Sequence, residues 1–99
     1  MKIIPLKPKP SQIVTCLLNN QLCKIAVYQK KYGLFINLHI EDEPIITGRI
    51  CRDRVKIAGQ SYKGLSGDLI FVDFVGKEDP AYLGIGDRFF LCYLGPTEL

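Results

Sequence analysis

The sequence is short of nearly everything from which active sites are assembled. It has a single histidine, His39, and its four cysteines include no CxxC pair, so the Cys/His spacings that mark zinc sites are missing. No G-x-S-x-G or comparable nucleophile signature occurs, nor any D-x-[DN]-x-[DN]-G calcium loop. No catalytic residue, metal ligand or cofactor is assigned. No apolar run approaches the ~20 residues that a membrane-crossing helix needs. The opening MKIIPLKPKPSQ has an apolar patch broken at Pro5 and no small-residue cleavage site after it, so no signal peptide is read. Assembly in a cytoplasm is the expectation. Cys16, Cys23, Cys51 and Cys92 each lie inside an apolar, strand-like run, and without an export signal they are expected to be buried free thiols.

Helical periodicity is also lacking, and what is present instead has a period of two. Residues QIVTCLL and QLCKIAVYQ flank Asn19-Asn20, a pair whose tolerance of positive φ suits a two-residue hairpin turn. Cys23, Ile25 and Val27 point one way from the second run. LFINLHI alternates with Leu34, Ile36, Leu38 and Ile40 inward. PIITGRIC carries Pro44 at its first position, where a strand tolerates proline. The runs DLIFVDFV and RFFLCYL are apolar on both faces. About seven short antiparallel strands predict an all-β domain, a small barrel or sandwich with little or no helix. Pro5, Pro8 and Pro10 make residues 1–12 an extended arm or edge segment, anchored by Ile3, Ile4 and Leu6, ahead of a single β-domain over 13–99.

Charge is divided along the chain. Residues 1–63 hold eleven Lys/Arg and four Asp/Glu, a balance of +7, whereas 64–99 hold two and six, a balance of −4. The halves can complement each other inside the fold, complement a partner or a second copy, or be merely solvated. Asp68, Asp73, Glu78, Asp79 and Asp87 form the densest acidic group. Their spacing suits turns and amide capping better than a cation site: Asp79 precedes Pro80, and Asp68 and Asp87 each follow a glycine and lie just ahead of an apolar run. Gly67, Gly84 and Gly86 are taken as backbone requirements of those turns. GIGDR at 84–88 imitates a phosphate loop, but a β-run rather than a helix N-terminus follows it.

Arg49, Arg52, Arg54, Lys56 and Lys63 make a basic patch which, with Tyr28, Phe35 and Tyr62, imitates an oligonucleotide-binding barrel. Asp53 interrupts it, and the chain's pI of about 8.7 is low for such a domain. A nucleic-acid-binding small barrel is the alternative function.

Five stretches, in this order and spacing, carry a family resemblance: IIPL and PSQ (3–6, 10–12), C.I..YQK (23–30), GLF..L (33–38), PI.TG.IC (44–51) and Y.G..GDL.F.D..G..DP.Y.G.G.RF.L.Y (62–93). Over nearly its full length the chain resembles the phage baseplate plug family of small tail proteins. That resemblance implies a virion component of a phage or prophage: a small β-domain in a contractile-tail baseplate, near the hub, closing the lower end of the tail tube. It implies tail or baseplate proteins as partners and no catalytic residues. Self-association is open. The doubly apolar late strands fit such a role, since a two-layer protein has one interior and both faces of these strands need cover. Phe71, Phe74, Phe90 and Tyr93 are the candidate core or interface anchors, and the 2–10 arm a second contact.

Overall fold

In the computed structural model, which describes residues 1–59 and 65–98, the period-two runs become seven strands in two antiparallel sheets. The first sheet is a meander of β2 (Ser11–Leu18), β3 (Gln21–Lys30), β4 (Gly33–Ile40) and β5 (Glu43–Ile50), hydrogen-bonded in that order. Its turns follow from residues that accept the left-handed region. Asn19 and Asn20 have φ of 50° and 64°, and Glu41 and Asp42 have 50° and 68°, the conformation a two-residue hairpin requires. One register thus runs from Cys16 opposite Cys23 to Cys23 opposite Ile40. Period two then puts Cys23, Ile25, Val27, Leu34, Ile36, Leu38 and Ile40 on one buried face. At β5 the register slips near Leu38, where Gly48 (φ 64°) donates its amide to the Asn37 side chain at 2.7 Å.

The second sheet has the order β1-β7-β6, from β1 (Lys2–Ile4), β7 (Phe89–Leu94) and β6 (Asp68–Asp73). Its inner row, Ile4, Leu91, Phe71, Leu69, Tyr93 and Phe89, joins the buried face of the meander in a single hydrophobic cluster. The two sheets stay open: the barrel half of the expectation is corrected to two facing layers, because β2 and β5 end their sheet without bonding to the other. Helix is confined to the three-residue 3₁₀ turns Tyr82–Gly84 and Pro96–Glu98 among the described residues.

The N-terminal dozen is not a free arm. Lys2–Ile4 pairs with Leu91–Tyr93 as an edge strand. Residues 5–10 then cross to the other sheet, tied by Gln12, whose amide group bonds the Lys7 N–H and C=O at 2.9 and 2.5 Å. Proline governs this outcome: strand pairing stops at Ile4, just ahead of Pro5.

Candidate assembly surface

The small sheet decides which of its two apolar faces is the interior. Leu69, Phe71 and Asp73 of β6 stand opposite Tyr93, Leu91 and Phe89 of β7, and all six are buried. The alternate row, with Ile70 and Val72 opposite Cys92 and Phe90, faces away from the cluster. Ile3 extends that row across Cys92. Phe74 continues it past the end of β6, with its amide on the Arg88 carbonyl at 2.8 Å. The Phe74 and Phe90 rings stack at 4.9 Å, yet Phe74 remains 51% exposed and Ile3 45%. The four candidate anchors therefore separate: Phe71 and Tyr93 belong to the core, Phe74 and Phe90 to an outward apolar row.

That row runs into a groove. Ile3, Ile4, Leu6, Ile85, Phe89 and Phe90 line an open, almost wholly apolar hollow of about 220 Å³ between β1 and the turn before β7. Ile3 and Phe90 belong to both features, so face and groove form one surface. Of the three N-terminal anchors, Ile4 is buried, Leu6 packs partly against the core and Ile3 stays outside. Along the outward row Ile3 and Phe74 are exposed, Ile70, Val72 and Phe90 are half-buried and Cys92 is buried. Apolar side chains grouped in this way at a surface mark a candidate contact.

Of the five acidic residues, Asp68, Asp73 and Asp79 accept backbone amides, Glu78 pairs with Arg88 at 3.4 Å, and Asp87 is exposed. Asp73 is buried and receives Arg88 Nε at 3.1 Å and Nη2 at 2.6 Å, together with the amides of Val75 and Glu78. The Arg88 guanidinium, followed by those amides, holds its carboxyl well below the usual carboxylate range. This knot fixes the 74–78 turn that presents Phe74. Asp68 accepts the amides of Ala58, Gly59 and Leu69 at 2.7–2.8 Å, and Asp79 accepts the Asp53 amide and Arg52. No grouping of His, Cys, Asp and Glu suited to a metal occurs among the described residues.

Two glycines are fixed by close approach. Gly67 has φ of 101°, and a Cβ there would run into the Leu94 carbonyl. The neighbouring Tyr93 hydroxyl donates to the Ser66 carbonyl, so this corner locks β6 to β7. At Gly84 a Cβ would meet the Phe89 ring at 2.6 Å. Gly86 (φ 85°) lies in the turn that follows.

The basic patch is largely engaged. Arg49 bonds the Ile57 carbonyl at 2.6 Å, Arg52 pairs with Asp79 at 3.3 Å, and Arg54 reaches Asp53 and the carbonyls of Asp73 and Gly76. Lys56 lies in the exposed segment that bridges to Ile70. Lys63 and Tyr62 fall outside the described residues. Tyr28 and Phe35 do stack, at 6.0 Å, with Lys30 beside both rings, on the outer face of the meander. His39 shares that face, opposite Lys24 and Pro44. All four cysteines are free. Burial pushes the Cys51 thiol up to about 12 and Cys23 up to about 11.

Sequence reasoning left two features unassigned. The Asp73–Arg88 knot joins residues fifteen positions apart across a turn of no standard spacing, and nothing in the local sequence marks it. The open edge of β2 had a signal: eight consecutive residues, SQIVTCLL, without a charge.

The fold thus defines a class: an all-β chain of two open layers, with Asp68 and Asp73 buried on backbone amides and Phe74 and Phe90 on an outward apolar row. The comparison with protein families gives the class a specific member. The model described as cyanophage baseplate Pam3 plug gp18 matches residues 1–96, and the chain belongs to this family of phage baseplate plug proteins. No curated protein matches it.

Proposed function

We propose that the protein is a non-enzymatic building block of a phage or prophage contractile-tail baseplate, a plug-like element near the hub that works through contacts with other tail proteins. Its place is the virion baseplate, reached by assembly in the bacterial host's cytoplasm. Family membership supports the baseplate role. The observation that carries the mode of action is the outward row of Ile3, Phe74 and Phe90 running into the groove beside β1. Burial of such a surface drives association at ~25 cal/mol per Å² before the costs of ordering, and the flanking charges orient the encounter.

The test is co-expression with the neighbouring tail genes, followed by purification of the baseplate and cross-linking mass spectrometry. The chain is expected in the particle, with cross-links from Lys2 and Lys77 to hub or tube components. Absence from purified particles, together with salt-sensitive binding of single-stranded DNA, would overturn the proposal.

A further inference from the structure

The two open sheets have four edges, and three of them are guarded. The β1 edge is three residues long and ends at Pro5. The free edge of β6 is covered by the 53–57 segment, whose Arg54 and Ile57 amides bond the Phe71 and Leu69 carbonyls at 2.8 and 2.9 Å. The β5 edge carries Pro44, a register slip, Gly48 in the left-handed region and Arg49. These are the devices by which proteins blunt an edge.

Strand β2 carries none of them within its own span, and the 5–9 segment stands off from residues 12–14 across an open hollow. The strand is eight residues long, contains no charge, proline or glycine, and pairs only with β3. Among the described residues no loop backbone hydrogen bond ends on Ser11–Leu18. Its outward side chains Ile13 and Leu17 are each 63% exposed.

The phase of the strand is set by its turn. A two-residue hairpin closes on a hydrogen-bonded pair, here Leu18 and Gln21. Gln12, Val14, Cys16 and Leu18 therefore direct their N–H and C=O groups toward β3, and Ser11, Ile13, Thr15 and Leu17 direct theirs outward. The outward set is self-complementary. With Thr15 opposite Thr15 of a second copy in antiparallel sense, Ile13 lies beside Leu17 and Val14 beside Cys16 of that copy. Every free N–H from Ile13 to Leu17 then finds a carbonyl, giving about six bonds. The antiparallel sense also sets the basic end, Lys7 and Lys9, beside the other copy's uncharged Asn19-Asn20 turn. A parallel arrangement would place lysine beside lysine.

We infer that the free edge of β2 is a self-association site, where a second copy of this chain adds antiparallel about a two-fold axis at Thr15 and joins the four-stranded sheets into one. The inference goes beyond the baseplate reading and does not depend on it. A single strand pair buries less than the ~1,200 Å² of stable complexes, so the dimer forms and dissociates with concentration.

Sedimentation of the full-length chain over a wide concentration range tests this together with amide hydrogen exchange. The mass is expected to rise from one chain toward two. The Ile13, Thr15 and Leu17 amides gain protection in step, whereas Val14 and Cys16 are protected throughout. Thr15→Glu sets two carboxylates face to face on the axis while Lys24, opposite Thr15 in the same subunit, keeps the monomer folded. It is expected to weaken association at least tenfold, as is Thr15→Lys, and an equimolar mixture of the two variants restores the dimer. A wild-type chain that stays monomeric with open Ile13, Thr15 and Leu17 amides overturns the inference. So does a dimer indifferent to Thr15→Glu.

Discussion

Phe71 and Phe74 lie three residues apart, and alanine at each is expected to have opposite consequences. The Phe71 ring is 1% exposed in the inner row. Its loss to alanine costs about 3–5 kcal/mol, which at roughly 4–8 °C per kcal/mol lowers the Tm by at least about 12 °C. Half of the Phe74 ring is already in water, and the other half lies on Phe90. Burial of that half is worth about 1 kcal/mol and the stack up to about 1 more, so Phe74→Ala remains folded and, at roughly 4–8 °C per kcal/mol, melts between wild type and Phe71→Ala. Assembly reverses the order of importance. With Phe74 51% exposed, a partner has the exposed half left to cover, worth about 1 kcal/mol by the same measure or ~5-fold in affinity. Circular dichroism melts give the first quantity. The second is the amount of the chain retained in purified baseplates when the variant complements a deletion. Should Phe74→Ala melt as early as Phe71→Ala, or enter particles as well as wild type, the division into inner and outer rows as core and contact surface is wrong.

Three further outcomes follow from the geometry. Asp73, with its carboxyl held low by Arg88, contributes stability that is complete above the unfolded-chain value of about pH 4 and is lost as the pH falls through the lower folded value. Melts taken across carboxylate titration, from about pH 5 to about pH 2, should therefore decline steeply for wild type, while Asp73→Asn melts lower at neutral pH and shows a shallower acid limb. Gly67→Ala combines a φ of 101° with a Cβ directed at the Leu94 carbonyl and should cost about 2 kcal/mol or more by urea titration. Gly59→Ala, strained in φ alone with nothing within 4 Å, should cost about 1. With burial pushing Cys51 up to about 12 and Cys23 up to about 11, a thiolate-directed reagent at mildly basic pH should label the half-buried Cys16 first in the folded chain, and Cys16→Ser should remove that earliest adduct in the mass spectrum.

Strands β3 and β4 of the meander were legible because each has one more polar face. Lys24 and Asn37 alternate with Cys23 and Ile36, and Asn19-Asn20 declares its turn. Legibility failed where alternation carries no contrast. In β6 and β7 the rows Leu69/Phe71 and Ile70/Val72 are equally apolar, and the residue that breaks the tie, Asp73, lies on the buried row. A carboxylate inside is readable only once Arg88 and the amides of Val75 and Glu78 are known to meet it. Closure was equally hidden. Strand count and spacing are the same for a barrel and for two open layers, and the difference lies in whether β2 and β5 find partners across the gap. Pro44, Gly48 and Arg49 in β5 argue against pairing there, which is visible in the sequence only after β5 is known to be an edge.

Openness has a consequence for how a small chain makes several contacts. A closed barrel has no edges and offers only its outer faces. Two open layers add edges, and here the edge and the face are on different sheets: the uncharged β2 edge closes the meander, and the Phe74/Phe90 row covers the outside of the β1-β7-β6 layer. One contact uses backbone hydrogen bonds and the other apolar area, so they can be made independently. Charge does not divide the two surfaces. Asp73, Glu78, Asp79 and Glu98 are held by Arg88, Arg52 and the N-terminal amine, whereas no lysine forms an ion pair among the described residues. Unpaired lysines therefore border both surfaces, Lys7, Lys9, Lys24, Lys30 and Lys31 around the meander and Lys2, Lys56 and Lys77 around the second sheet. The separation rests instead on the kind of contact each surface offers, an open strand edge on one sheet and an apolar aromatic face on the other.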